Sequence, residues 1–377
     1  MKHPITRHML AAVIAALAAS ACGGDDREPQ IRALRLLGSA SLPTGTLYEG
    51  VEFGGISGLD QAADGSYWAI SDDRGGERGT PRFYNLSLDY DSGKPVEVKI
   101  KRQLHMLRPD GASFSSSART VDPESIRRAP NGNLYWSSEG NWSSTPAQLH
   151  QPFLREMTSD GRFVREFAVP AMYLYRDNAT TGARNNKVFE ALTVAEDGTV
   201  YIANEDALAQ DGPLTTVGAG SVVRVTAMDP ASGNAKAQYA YRLPPIPVDA
   251  PPGAPFGPDN GLSELLATGK NRFIAVERAF AAGIGNTIRL VETEITASTT
   301  NVLSVPSLSG ASYTPMGRKL LLEMPITYQG VKLDNIESMT WGRTLANGNR
   351  TLVLAADNNF TAQTQANQFI VLEVLAD

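Results

Sequence analysis

This chain has almost no cysteine or histidine to work with. One Cys, at position 22, and four His occur in 377 residues. A single thiol excludes a disulfide framework, a CxxC zinc site and a thiolate-held cluster. His3 and His8 lie near the N-terminus, which leaves His105 and His150 for the rest of the chain. That is too few for a His-ligated zinc centre and little for imidazole acid–base chemistry. There is no G-x-S-x-G elbow, no P-loop and no G-x-G-x-x-G after a strand, so a serine hydrolase or nucleotide-binding reading has no support. Positive charge is also scarce: 34 Lys+Arg against 40 Asp+Glu give −6, no electrostatic footing for nucleic acid. What remains is a globular composition, 42% hydrophobic, in which carboxylates and a metal must carry any catalysis.

Lys2 and Arg7 precede an apolar run, Met9 to Ala21, that is too short to span a bilayer. Ala19, Ser20 and Ala21 then lead into Cys22. This resembles a bacterial lipoprotein signal, with Ala19 where the usual pattern has Leu. It implies cleavage after residue 21, lipidation of Cys22, and a flexible tether over 22–30. Gly23, instead of Asp, resembles lipoproteins passed to the outer membrane. The expectation is an exported protein on the periplasmic face of the outer membrane, held by its lipid and not by a membrane span. The alternative is a soluble periplasmic or secreted form.

The body of the chain repeats. Five segments share a small residue, an acid, a short apolar strand, a Gly- or Asn-containing turn and a second strand ending in acid. They begin at Gly55, Asp122, Val188, Asn260 and Asn335. Asp64-Gly65, Asn131-Gly132 and Asp197-Gly198 suit hairpin turns, and Tyr, Trp, Ile, Val and Phe fill the flanking strands. The anchor positions Gly58, Glu124, Glu190, Glu264 and Glu337 are separated by 66, 66, 74 and 73 residues. The two termini together supply about one more period. The pattern predicts an all-β, single-domain β-propeller over 31–377, closed by Ile31–Leu37 beside Phe369–Leu375. Five blades is the repeat count; a sixth would fit within 75–121 or 206–258. The proline-rich stretch from Val248 to Asn260 cannot sustain a central strand and reads as a surface connection. Trp68, Trp136, Trp142 and Trp341 read mainly as packing between blades.

Hairpin symmetry pairs Glu124 with Glu139, Glu190 with Glu205, and Gly58 with Asp73, each pair 15 residues apart. Glu264 and Glu277 are 13 apart, and Glu337 lies 20 before Asp357. Ring symmetry therefore gathers carboxylates at one end of the channel. Uncompensated, they would repel and take up protons. A hard cation resolves this: Ca²⁺ in the first place, with Mg²⁺ or Mn²⁺ as alternatives. Arg74, Arg278 and Lys187, each beside one of these acids, form a cationic rim suited to an anionic substrate. Arg78, Arg82, Arg184 and Arg343 lie near the same corners.

The residues NIESMTW (335–341) with LVLAADNNF (352–360), GGISGLD (54–60) with WAISDDRG (68–75), and DPESI (122–126) resemble the phytase-like family, "esterase-like activity of phytase". The resemblance covers about 50–377. It implies a propeller and a phosphoric ester hydrolase resting on repeated acids, here Asp72, Asp73, Glu124, Glu139, Glu190, Glu264, Glu337 and Asp357. Gly58 departs from the repeat, so blade 1 would contribute through Asp72 and Asp73.

The expectation is a metal-dependent phosphoesterase acting on a small phosphate ester or other anionic substrate. Its metal ligands are Glu124, Glu190, Glu264, Glu337, Asp72 and Asp357. Asp73, Glu139 or Glu205 would take the proton, while Arg74, Arg278 and Lys187 hold the substrate. Two alternatives stand beside it: a non-catalytic propeller that binds an envelope ligand or protein, and a Ca²⁺-dependent lactonase or carboxylesterase.

Overall fold

The hairpin turns form as their residues require. In a computed structural model, Gly65, Gly132, Gly198 and Gly348 take φ of +82°, +87°, +82° and +88°, the left-handed region that only glycine enters cheaply. The Asp or Asn before each glycine accepts the backbone N–H two residues on, at 3.0–3.1 Å, locking the turn. The structure describes residues 30–75, 78–91, 93–178 and 180–376. The expected leader at 1–21, the expected lipidation site Cys22 and the expected tether as far as residue 29 lie outside the described residues.

Each turn joins the two inner strands of a four-stranded antiparallel sheet, and there are five such sheets. Blade 1 is Ile56–Gln61, Tyr67–Ser71, Arg82–Asp89 and Glu97–His105; blade 2 is Pro123–Arg128, Leu134–Ser138, Phe153–Met157 and Phe163–Glu166. Blade 3 is Phe189–Val194, Val200–Asn204, Val222–Met228 and Ala235–Arg242; blade 4 is Asp259–Ala267, Arg272–Ala281, Gly285–Glu294 and Gly317–Met324. Blade 5 takes Asn335–Trp341, Thr351–Asp357 and Ala366–Ala376, and borrows Ile31–Pro43 from the other end of the chain. That strand runs antiparallel to Ala366–Ala376, with Leu34 opposite Val374 and Leu42 opposite Asn367. The propeller thus has five blades and a ring closed by its termini. The stretches with room for a sixth blade hold the outer strands of blades 1 and 3. Among the described residues there is no α-helix, and no helix is long and apolar enough to cross a membrane.

Five apolar clusters fill the five seams of the ring. Ile70, Phe83, Trp136 and Phe153 pack between blades 1 and 2, and Tyr135, Tyr173, Phe189 and Ile202 between 2 and 3. Tyr201, Tyr241, Phe273 and Val291 fill the next seam, Ile274, Met339 and Leu354 the fourth, and Phe53, Tyr84, Val353 and Phe369 the last. Large apolar side chains on both faces of each blade make a closed ring the arrangement that buries most of them. Trp68 and Trp136 are buried in a seam as read; Trp142 is 47% exposed.

All five inner strands carry a bulge near the same end, which shifts the register after Ile56, Pro123, Phe189, Leu262 and Ile336. A bulged residue drops out of the ladder and re-aims its side chain. The bulges build the site.

Candidate functional site

Aligned on the bulge, the inner strands read Ile56-Ser57-Gly58-Leu59, Pro123-Glu124-Ser125-Ile126, Phe189-Glu190-Ala191-Leu192, Leu262-Ser263-Glu264-Leu265 and Ile336-Glu337-Ser338-Met339. The second position supplies Ser57, Glu124, Glu190, Ser263 and Glu337. On the neighbouring strand, the residue after the bulge's partner supplies Asp72, Glu139, Glu205, Arg278 and Asp357. These two layers form the mouth of the channel.

Glu124, Glu190, Glu337, Glu139, Glu205, Arg278 and Asp357 are all buried there. Burial pushes the carboxyls of Glu124, Glu139, Glu190 and Asp357 well above their ordinary range, and neighbouring acids push them further. Glu337 is raised for the same reasons, with Arg278 opposing.

Three expected residues are placed otherwise. Glu264 sits one residue past the bulge, at the small position of the repeat. It points down the channel to Arg127, at 2.6 Å, and accepts the N–H groups of Leu192 and Leu265. Burial outweighs Arg127 and lifts its pKa to about 8. Asp73 turns away from the mouth, onto the fully buried Arg82 at 2.5 Å and the N–H groups of Gly75 and Arg78. Glu277, symmetric with Glu264 in the sequence, is held by Tyr241 and by both ends of the Arg318 guanidinium. Blade 4 is thus offset by one from the sequence reading, because Ser263 and not Glu264 occupies its bulge. Arg278 consequently takes the place the other blades give to an acid.

The expected cations do reach the mouth. Arg278 meets Glu205 at 2.8 Å and Glu337 at 3.4 Å. Lys187 bridges Glu205 at 2.8 Å and Asp259 at 2.5 Å, and these acids raise its pKa despite its burial. Arg74 Nε lies 2.8 Å from Asp122 Oδ1, and its guanidinium also donates to Asn186. Gly261 is required beside this cluster, since a Cβ there would lie 2.4 Å from the Glu205 carboxylate.

Asp122, Glu124 and Glu139 bring one carboxylate oxygen each within 4.8 Å of one another, all buried. Glu139 Oε1 accepts the N–H of Val188, while Oε2 is buried with no hydrogen-bond partner. An orphaned carboxylate oxygen facing two further acids is the environment a hard divalent cation completes. The donor set fits such an ion. Sequence reading missed Asp122 as a ligand, although its position directly before Pro123-Glu124 placed it at the same corner.

It also missed Arg127. Its guanidinium bonds backbone carbonyls from every blade: Leu192 at 2.6 Å, Met339 at 3.0 Å, Leu265 at 3.1 Å, Ile126 at 3.5 Å, and Leu59. With Glu264 it plugs the channel below the mouth. An arginine inside an inner strand, where the other blades carry Asp60, Thr193, Leu266 and Thr340, was the available signal.

Beside the ring, a pocket of roughly 820 Å³ opens between blades 4 and 5, bounded by Lys187, Arg278, Asn335 and Glu337 and by the loop carrying Phe256.

Solved structures of low similarity cover nearly the whole chain. A luciferin-regenerating enzyme is 12% identical, over 92% of this chain and 96% of that one, with a TM-score of 0.40. A thermostable family-43 glycoside hydrolase is 11% identical over 88% and 91%, TM-score 0.44. CoXyl43, a family-43 β-xylosidase/α-arabinofuranosidase from a compost microbial metagenome, is 11% identical over 93% and 98%, TM-score 0.42. Likenesses this remote carry nothing about activity. No curated protein matches the chain. The family comparison is different in kind, for it matches residues 51–360, the span that holds every carboxylate of the mouth. The chain belongs to the phytase-like family, described as esterase-like activity of phytase.

Proposed function

We propose that this protein is an exported, lipid-anchored, metal-dependent hydrolase of phosphoric esters, working at the acidic mouth of the propeller. The observation that carries the reading is the buried Asp122, Glu124 and Glu139 group with its orphaned Glu139 oxygen. These three residues would hold the ion, with Asp72, Glu190, Glu337 and Asp357 completing the acidic ring; calcium is the first candidate, magnesium or manganese the others. When bound, the ion would offset the carboxylate repulsion and the charge of a phosphoryl group.

The chain's own residues supply the rest. Arg278 has a buried Nε with no hydrogen-bond partner, a donor available to an ester oxygen. Arg74 is the second grip. Glu190, whose carboxyl is raised by burial and by Glu205, Glu139 and Glu337, is the carboxyl we assign to accept the proton. Water oxygen bonds to phosphorus, its proton passes to Glu190, and the ester P–O bond breaks. The leaving alcohol takes a proton back. The plug formed by Arg127 and Glu264 closes the axis beneath these groups.

The test follows phosphate release from monoesters by the purified protein before and after chelation. Activity lost on stripping, restored by one hard divalent cation and absent in Glu139→Gln supports the reading. Undiminished turnover after stripping, or neither bound cation nor turnover, overturns it. Separately, Cys22→Ser should move the protein from the membrane fraction to the soluble one if the anchor is as proposed.

A further inference from the structure

The pocket beside the ring has an aromatic wall. Phe256 is 58% exposed, and its ring stacks on Phe280 with centroids 5.8 Å apart and planes 26° from parallel. Ile284, 37% exposed, lies in the same wall. Phe256 is held out by a proline-rich loop, Val248–Pro258, in which Pro251, Pro252, Pro255 and Pro258 restrict the backbone. A large apolar ring kept in water next to a polar site costs free energy unless something covers it.

Charge decides what. The pocket carries Lys187, Arg278 and Lys332 against Asp259, Asp334 and Glu337, so it has no net positive charge. Lys187 and Arg278 are already paired with acids. Lys332 is exposed and has no ion-pair partner among the described residues. A polyanion would find one cation here that is outside an ion pair, and a ring of carboxylates beyond it.

We infer that this pocket selects an ester with a single anionic group and an aromatic or alkyl alcohol part, the apolar part lying on Phe256 and Phe280. A polyphosphorylated polyol such as phytate is the wrong shape and charge for it. The inference rests on the ester-hydrolase reading of the adjoining ring but is tested by binding alone.

Calorimetric titration of the calcium-loaded protein with phenylphosphonate, methylphosphonate and phytate reads it out. Phenylphosphonate should bind roughly tenfold more tightly than methylphosphonate, the worth of one aromatic contact. Phe256→Ala should erase that gap without changing methylphosphonate affinity, and phytate should gain nothing over phenylphosphonate. Equal affinities for the phenyl and methyl compounds, a gap that survives Phe256→Ala, or phytate binding tightest would overturn the inference. An aryl preference in a protein that cleaves no ester leaves the subsite standing and removes the ester-hydrolase reading. Ester turnover with no aryl preference does the reverse.

Discussion

The two sides of the mouth are built around the same repeat positions and differ in how their acids are compensated. On the blade 2 side, Asp122, Glu124 and Glu139 crowd together with Arg74 as the near cation. On the side of blades 3 to 5, Glu205 and Glu337 are met by Arg278, and Glu205 and Asp259 by Lys187. The difference comes from one substitution in the pattern: blade 4 gives the ring an arginine where its neighbours give an acid. One side has two buried cations set among its acids by the chain itself; the other has the partly exposed Arg74 and, on the reading proposed above, takes a cation from outside.

The sharpest way to break this comparison is to remove Arg278. Arg278→Met leaves the buried Glu337 without its ion pair and Glu205 with Lys187 alone, and should cost about 3–5 kcal/mol in denaturant unfolding. Arg74→Met, at a residue 26% exposed, should cost about 1 kcal/mol or less and should tighten cation binding, because a competing charge has gone. Equal losses would show that the two sides are not different in kind. Next in size, calcium at a hundred times its dissociation constant should stabilise the wild type by about 2.7 kcal/mol, read as a rise in Tm. Glu124→Gln and Glu139→Gln should abolish that rise while leaving the chelated protein as stable as wild type or more so, since a buried like charge is relieved. Glu205→Gln should do the opposite: the rise is kept, and about 1.5–3 kcal/mol of basal stability is lost with the Lys187 and Arg278 contacts.

The smallest effect belongs to an acid outside the mouth. Glu373, though buried, accepts hydrogen bonds from Asn349, Asn347 and Arg35 that hold its pKa below the ordinary 4.5. A depressed carboxyl stabilises the fold above its unfolded pKa and loses that contribution as pH falls through its folded one. Glu373→Gln should therefore shallow the acid limb of the stability curve below about pH 4.5 and leave neutral pH metal binding alone. A change in calcium affinity would mean the rim and the mouth communicate.

How much of this was legible beforehand depended on which interactions are local. Hairpins were legible because Asp-Gly and Asn-Gly act within five residues, and ring closure because the termini shared one period. Glu124, Glu190 and Glu337 were placed together correctly because alternation carries a side chain to a predictable face. Glu264 was misjudged because a bulge shifts the register by one, and a one-residue slip reverses the face. The cue was present: Leu262-Ser263-Glu264-Leu265 aligns with Phe189-Glu190-Ala191-Leu192 only if serine takes the acid's place. Asp73 was misjudged for the same reason, Asp72 being the residue in register. The partners of Arg127, one carbonyl from each blade, lie up to 212 positions from it and could not be read from a linear pattern.

Arg127 also sets how traffic must run. Because its guanidinium ties all five blades at the axis, the mouth is a cup and not a tube. Under the proposed ester hydrolysis, whatever enters would leave by the same opening, and both products would share the doorway with the next substrate. Such turnover would be open to inhibition by its own products, the more so for whichever product keeps the better hold on the wall.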